Sequence, residues 1–448
     1  MTSIKQLAIR GAAWTFAAYG MSMILRLGSN LILTRLLLPE AYGLIALVYV
    51  FITGLHLFSD VGIGPSIIQN KRGDDPAFLN TAWTIQVVRG FCLWVGSVLL
   101  AWPAAQFYNE TRLLSLLPVV GLNAIISGFN STAVFTLNRQ VAISKLAIYE
   151  LAGQITSITV TIVCAYFNRT VWAMVTGGFA SALVQMVWSH RLFPEQPNRF
   201  AWERDAVKSI FSFGKWIFVS TALYFFVSQS DRMILGKLIP LEMLGIYGIA
   251  FTLADIPRQV ILALSNKVIF PSFAKLADLP RETFRAKIIK SRRLMLVALA
   301  AGLSLMIGFG DRLVFILYKS NYHEAGWMVP IIALGIWHTS LYFTTFPALL
   351  ALGNARYNPP GSLLAFMTIA IGLPLAFSQF GLVGAMFVIA FYDLPLYAVN
   401  MYGLWREGLI CLGQDLVATA LFLLLLSSVV LVRYILGWGL PINQILLQ

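Results

Sequence analysis

The sequence predicts an all-α polytopic membrane protein made of two six-helix lobes related by a parallel internal repeat, with a thirteenth helix at the C-terminus. Three observations predict it. Apolar runs of bilayer-spanning length, about 20 residues, recur from end to end. Charged residues are only 11% of the 448 positions, with a mean hydropathy of +0.78. A basic-acidic turn near the start, RLLLPEAYG at 35–43, returns in outline as KLIPLEMLG at 237–245.

Apolar periodicity places spans at 12–34, 42–66, 80–105, 113–137, 145–167, 171–189, 210–235, 243–270, 293–318, 326–352, 361–379, 382–402 and 415–436. Lys5 and Arg10 precede a first span too long and too polar for the core of a cleavable signal, so that helix is expected to be retained. If the N-terminus is cytoplasmic, nineteen Lys and Arg fall on the cytoplasmic side and seven on the other. The positive-inside rule therefore places the N-terminus inside.

The net charge of +13 could suggest nucleic acid, but the basic residues lie in short tracts between spans, as topology requires. Nucleic acid is accordingly not an expected partner. Cys92, Cys164 and Cys411 lie within or beside spans without a CxxC pair, so neither a disulfide framework nor a metal site is expected. Outer connections are short, and no GxSxG, HExxH or Walker pattern occurs. No catalytic residue is assigned and no cofactor is expected.

Domain organisation follows the spans. An N-terminal lobe covers 1–189, a cytoplasmic linker 190–209, a C-terminal lobe 210–404, and an additional helix and tail 405–448. Within the linker, RFAWERDAVKSI at 199–210 mixes Phe200, Trp202, Val207 and Ile210 with charges, as an interfacial amphipathic helix would.

The repeat pairs Leu36 with Leu238, Glu40 with Glu242 and Gly43 with Gly245, with Arg35 matched conservatively by Lys237. Helix phase strengthens it. Thr15, Tyr19, Ser22, Arg26 and Ser29/Asn30 share one face of the first span. A shift of 202 gives Thr221, Tyr224, Ser228 and Asp231/Arg232, again polar on one face. Arg26 itself is not repeated, because position 228 is serine.

The runs FSFGKW (211–216), DRMILGKLIPLEMLGIYGIAFTLADIP (231–257) and NKVIFPSFAKLAD (266–278) lie in the second half. LLLPEAYGLIAL (36–47), FSDVGIGPSIIQ (58–69) and LNRQVAISKLAIYE (137–150) lie in the first. Together they resemble the bacterial polysaccharide transporter family of the MOP superfamily, which contains the Wzx-type exporters. The resemblance implies a V-shaped pair of helical lobes around a central cavity in the bacterial inner membrane. It implies a flippase that moves undecaprenyl-pyrophosphate-linked oligosaccharide from the inner to the outer leaflet by alternating access. Membrane lipids and a polysaccharide polymerase machinery are the accompanying candidate partners.

A charge at mid-membrane is costly, so such residues normally face a bundle interior or water. Arg26 lies near the middle of span one. Its planar guanidinium suits a lipid pyrophosphate, with a buried ion pair as the alternative. Arg89 could face the cavity or snorkel to the surface, and Lys215 could act in the cavity or anchor the topology. Asp255 and Arg258 are three apart on one helical face with Pro257 between them, which fits either an internal salt bridge or a substrate-gated switch. Arg258 joins Arg26, Arg89 and Lys215 as a candidate contact to the anionic headgroup.

Asp60, Glu150 and Asp393 are candidate proton or sodium carriers, along with Asp255. Glu150 has a pairing with Arg139 or Lys145 as its plainer reading. Asp231 and Arg232, at the outer end of span seven, are a gate or a solvated turn. For sugar contacts the candidates are Tyr19, Asn30, Asn123 and Tyr224, with Trp216, Ser127, Asn130 and Ser131 on the same kinds of stripe. Such stripes also serve helix–helix hydrogen bonds. The competing readings are a multidrug antiporter of the same superfamily, which would want acids and aromatics rather than these cations, and a membrane sugar polymerase or glycosyltransferase.

Overall fold

The computed structural model describes residues 4–140, 142–193 and 197–442, with the side chains of 4–16, 143 and 213–220 left undescribed. Among the described residues every regular element is helical. In a bilayer that is expected, because a helix satisfies its own backbone polar groups where no water can. The chain forms two compact units, residues 1–225 with 240–242, and residues 226–239 with 243–448.

The first unit contains α1 (Ile4–Leu36), α2 (Pro39–Phe58), α3 (Ile63–Gln69), α4 (Pro76–Tyr108), α5 (Leu113–Gly128), α6 (Ala133–Arg139), α7 (Ile143–Phe167) and α8 (Trp172–Arg191). It also takes the first part of α9 (Arg204–Leu238), within which the division falls. Proline opens α2 and α4, where its missing N–H costs nothing. Asp75 caps α4 by accepting the Ala77 N–H at 3.0 Å.

The second span is broken. Asp60 Oδ1 accepts the Gly62 N–H at 2.9 Å, and Gly62 takes a left-handed conformation (φ 68°) that favours glycine. The fourth span is also broken, since α5 and α6 meet at a 62° bend. On the packed side, Leu33 of α1 and Leu37 just beyond it bury with Ala165 and Ala173. Ile63 and Ile67 of α3 bury against Phe78, Leu79, Ala82 and Ile85 of α4 and Ala206 and Ile210 of α9.

The second unit continues with α10 (Leu241–Ala254), α11 (Ile256–Leu264), a single π turn over 265–269, α12 (Phe270–Ala274) and α13 (Arg281–Leu317). Then come α14 (Ala325–Ala351), α15 (Asn358–Phe391), α16 (Leu394–Arg406) and α17 (Leu412–Ile435). The expected boundary between spans at 379 and 382 is a kink inside α15, where Gly381 (φ 59°, ψ −150°) leaves the helical region. Two other breaks repeat a short pattern, with Asp255 and Asp393 each standing two residues before a proline. Both aspartates occupy the cap position of the half-helix that follows, where the positive end of the helix dipole favours an anion.

The repeat is legible in the helix ends. α1 ends at Leu36 and α9 at Leu238, while α2 opens at Pro39 and α10 at Leu241. Both pairs are offset by the 202 positions that the sequence alignment uses. Among the described residues seven helical stretches are long and apolar enough to cross a membrane, and up to nine if each bent pair counts as one. α17, the thirteenth expected helix, is one of the seven.

The linker departs from expectation. Residues 197–203 form no helix, and α9 begins at Arg204. Instead of lying on the membrane as a separate amphipathic helix over 199–210, this strip is stitched to α4. The Arg199, Ala201 and Glu203 N–H groups donate to the side chains of Asn80, Thr84 and Thr81 at 2.9, 3.0 and 3.1 Å. Those bonds satisfy the backbone that a helix would otherwise have paired. Arg72 adds Glu203 at 2.7 Å and Asp75 at 2.5 Å. This guanidinium holds both carboxylates below their ordinary range.

Two cations counted as surface anchors are buried pairs. Arg292 of α13 is fully buried, with Asp415 of α17 at 2.7 Å and Thr344 at 3.0 Å. Arg433, near the other end of α17, makes a two-pronged pair with Asp311 of α13 at 2.5 and 2.6 Å and also donates to the Gly308 carbonyl. α17 is therefore fastened to α13 at both ends. Removing one partner strands the other charge, so Arg433→Met should cost about 3–5 kcal/mol. Asp311→Leu with Arg433→Met should recover most of that loss, as read from unfolding midpoints in detergent.

The Arg72 network predicts a pH response. Its carboxylates are depressed, so their contribution is present above the ordinary carboxylate range and lost as pH falls through their lowered folded values. Protection of the 198–203 amides from exchange, taken relative to their intrinsic rates at each pH, should fall below about pH 4, while protection in α4 beyond Thr84 stays unchanged.

Candidate functional site

Each unit brings polar groups together in its own interior. In the first unit a cavity of about 310 Å³ lies among α2, α3, α4, α5 and α6, lined in part by His56, Asp60, Gln86, Arg89, Ser127 and Asn130, with Tyr149 of α7 beside them. The two helix breaks at 59–62 and 129–132 open onto it, which is why backbone groups as well as side chains face the space. Gln86 fills one wall, and its Nε2 donates to the carbonyls of Gly128 and Asn130 at 3.0 and 2.9 Å. Arg89 is half-buried. Its Nε donates to Ser59 Oγ at 3.0 Å and its Nη2 to the His56 carbonyl at 2.7 Å. Those two bonds fix the plane of the guanidinium and leave its other terminal nitrogen available. Asn130 Oδ1 is buried without a hydrogen-bond partner.

The second unit carries a charged network instead. Asp231, Asp255 and Asp393 are all buried. Asp255 pairs with Arg258 and accepts Gln259 Nε2 at 3.1 Å. Tyr247 donates its hydroxyl to Asp231. Asp393 binds His338 Nε2 at 2.5 Å and the Thr339 hydroxyl at 2.8 Å. Two guanidinium groups lie over the Phe251 ring, Arg232 and Arg258 at 5.0 and 5.6 Å from its centre. Among the described residues no group of acids, histidines and cysteines is arranged to hold a metal ion.

Several expectations change. The Asp255–Arg258 pair forms, so Arg258 is neutralised within its own unit and is a weak candidate for the headgroup. Arg232 is neither at a helix end nor in a solvated turn; α9 runs two turns further, and the side chain stacks on Phe251. Arg26 is exposed on α1, which removes the buried-ion-pair alternative. Its neighbour on the stripe, Ser22, instead bonds Gln154 of α7 at 2.6 Å and serves helix packing. Arg139 pairs with Asp74 at 3.1 Å rather than with Glu150, which is exposed. The Lys215 and Trp216 side chains lie outside the described residues.

Of the sugar candidates, Tyr19 and Asn30 are half-buried on α1, and Tyr224 is 63% exposed. Asn123 stands beside Gly178 of α8, with its Oδ1 buried and unpartnered. Ser127, Asn130 and Ser131, on the same stripe, line the first unit's cavity. The structure thus gathers Arg89, Asp60 and part of that stripe in one unit, and Asp231, Arg232, Asp255, Arg258 and Asp393 in the other. Sequence reasoning missed His338, His56 and Gln86. A lone histidine in an apolar run gives no periodic signal, although four histidines in 448 residues made each worth testing against the acids.

With this geometry in view, the family can be assigned. A family model described as "polysaccharide biosynthesis protein" matches residues 32–326, well over half of the chain. The chain belongs to the polysaccharide biosynthesis protein family. Among its relatives, the lipopolysaccharide biosynthesis protein WzxC of Escherichia coli (strain K12) is 21% identical over 366 residues, covering 81% of this chain and 70% of that protein. The succinoglycan biosynthesis transport protein ExoT of Rhizobium meliloti (strain 1021) is also 21% identical, over 346 residues, covering 77% and 69%.

Among solved structures, the lipid II flippase MurJ in an inward closed conformation superposes with a TM-score of 0.72 at 12% identity, covering 94% of this chain and 98% of its own. An inward-facing multidrug resistance MATE family transporter of the MOP superfamily gives 0.62 at 14%, covering 89% and 95%. At these identities the structures establish a shared fold, which is the all-helical transporter fold that the sequence motifs implied. The chain is a multi-pass membrane protein of this family.

The Asp393–His338 pair supplies a prediction. In a double-mutant cycle of Asp393→Ala and His338→Ala, each single change removes the hydrogen bond between the two buried side chains. The coupling energy should fall within about 0.5–3 kcal/mol, measured from unfolding midpoints in detergent.

Proposed function

We propose that the chain is a flippase for undecaprenyl-pyrophosphate-linked oligosaccharide, carrying the headgroup from the inner to the outer leaflet by alternating access, with its N-terminus in the bacterial cytoplasm. The observation that carries this reading is Arg89, oriented by Ser59 and the His56 carbonyl toward a polar cavity with a guanidinium nitrogen left over. A guanidinium is always charged and matches phosphate oxygens in a fixed fork. Gln86, Asn130, Ser127 and Tyr149 surround it with the mixed hydrogen bonding and aromatic surface that sugars bind. Family membership and the names of the two bacterial relatives agree with a polysaccharide precursor as cargo.

Arg26 is the second headgroup contact in this reading, because it is exposed and unrepeated in the second half. Nothing in the mechanism makes or breaks a covalent bond. Movement is driven by exchanging access to the site, and the buried carboxylates of the second unit are the candidate coupling groups for protons or sodium. The multidrug antiporter reading is weaker, although the neutralisation of Arg258 by Asp255 narrows the difference and leaves Arg26 and Arg89 as the described cations that favour an anionic cargo.

The test is outward exposure of a defined lipid-linked oligosaccharide in reconstituted vesicles. Wild type should expose it without changing its mass, and Arg89→Gln should slow exposure roughly tenfold to a hundredfold, the worth of about 1.5–3 kcal/mol for hydrogen bonds to a charged group. Exposure that is equally fast without protein would remove the flippase assignment, and a folded Arg89→Gln that flips as wild type would remove the residue's role. Collapsing both proton and sodium gradients should slow transport; unchanged rates would remove ion coupling.

A further inference from the structure

We propose that the basic face at the start of α13 is a docking surface for anionic phospholipid headgroups of the adjacent leaflet. α13 is 37 residues long, about 55 Å at 1.5 Å per residue, whereas the hydrocarbon core needs only about 20 residues. Its apolar, lipid-compatible stretch begins at Leu294. The preceding residues, 281–293, therefore project past the hydrocarbon as a rigid continuation of a membrane helix.

One side of that projection is fixed. Phe284 and Ile288 are buried in a cluster with Phe273, Leu349, Leu404 and Leu409. Arg292 is buried on Asp415, and Arg285 donates to the Ile410 carbonyl at 2.6 Å. On the opposite side Lys287, Lys290 and Arg293 recur every three residues, and all three are exposed. Among the described residues none of the three is engaged in a salt bridge. Glu282 is the acid nearest them on the same helix, more than one turn away from Lys287.

The phase of the helix gives this face its occupant. At 100° per residue, Lys287, Lys290 and Arg293 stand over Leu294, Val297 and Leu305, which are 80%, 43% and 53% exposed. A lipid whose chains lie along those three apolar side chains carries its phosphate at the level of the three cations. A soluble acidic partner would explain the charges but not their continuity with an acyl-facing stripe, so charge and apolar surface together select an anionic lipid. The surface lies wholly within the second unit and does not depend on the flippase reading.

The experiment measures lipid retained by the purified chain in native mass spectrometry, after equilibration with phosphatidylglycerol or with phosphatidylcholine. Wild type should retain phosphatidylglycerol in preference, and the preference should weaken as salt rises. Lys287→Gln, Lys290→Gln and Arg293→Gln together should lower that preference by about fivefold per residue, the factor corresponding to ~1 kcal/mol for each basic side chain near an anionic surface. A control triple, Lys145→Gln, Arg191→Gln and Lys208→Gln, removes the same charge from exposed positions elsewhere and should lower the preference by clearly less than the α13 triple.

Equal loss in both triples would overturn the proposal, because only general charge would then matter. An undiminished preference in the α13 triple would overturn it as well. An unchanged unfolding midpoint in phosphatidylcholine for the α13 triple separates lost binding from lost fold, and Lys287→Arg with Lys290→Arg should keep the preference if folding is intact. Failure of oligosaccharide transport with retention intact would count against the flippase reading alone.

Discussion

Buried charge is the constraint on which this structure depends. In a medium that cannot solvate an ion, each charged side chain has to find a partner within its own helices, reach water, or be eliminated. The second unit takes the first course at four buried sites: Arg292 with Asp415, Arg433 with Asp311, Arg258 with Asp255, and the Asp393 carboxylate with His338. Two of these pairs join α13 and α17, and the other two sit at the broken ends of helices. The pairs therefore determine both how the helices are fastened and where they are allowed to break.

The first unit resolves the same constraint differently. Arg89 uses backbone and hydroxyl oxygens released by the break after α2, so its charge is hydrogen-bonded without being neutralised by contact with a carboxylate. A cation held in this way keeps its attraction for an incoming anion. That difference between units is the physical basis of the proposal that the first recognises the headgroup, with the buried carboxylates of the second as candidates for coupling. It also explains why the list of candidate cations overstated the case, since Arg258 is already paired with Asp255.

Much of the fold was legible in the sequence because its signals are local. Most long helices follow from apolar length and the repeat from helix phase and a shared turn, whereas the boundary expected between 379 and 382 is a kink within one helix and the thirteen expected spans become seven to nine among the described residues. The break at Asp255 follows from Pro257, whereas the break at Asp393, which divides the expected span 382–402, was not anticipated although Pro395 stands two residues later. Pairings across more than a hundred residues had no local signal: Arg292 looked like one more basic residue of a topology anchor, and Asp415 like the start of a terminal helix. The linker misled for a related reason. Its alternating aromatics and charges suit an amphipathic helix, but hydroxyl and amide side chains at Asn80, Thr81 and Thr84 offer the backbone a better set of partners. Arg89 was named from sequence, yet its surroundings were not, because the cavity is assembled from two helix breaks that lie about seventy residues apart.

The most direct measurement is a structure of the chain with a lipid-linked oligosaccharide bound. The account predicts pyrophosphate oxygens within hydrogen-bond reach of the Arg89 guanidinium, with sugar density against Gln86, Asn130 and Tyr149. A headgroup seated instead on Arg232 and Arg258, with Arg89 still bonded only to Ser59 and His56 and its cavity free of ligand, would contradict it.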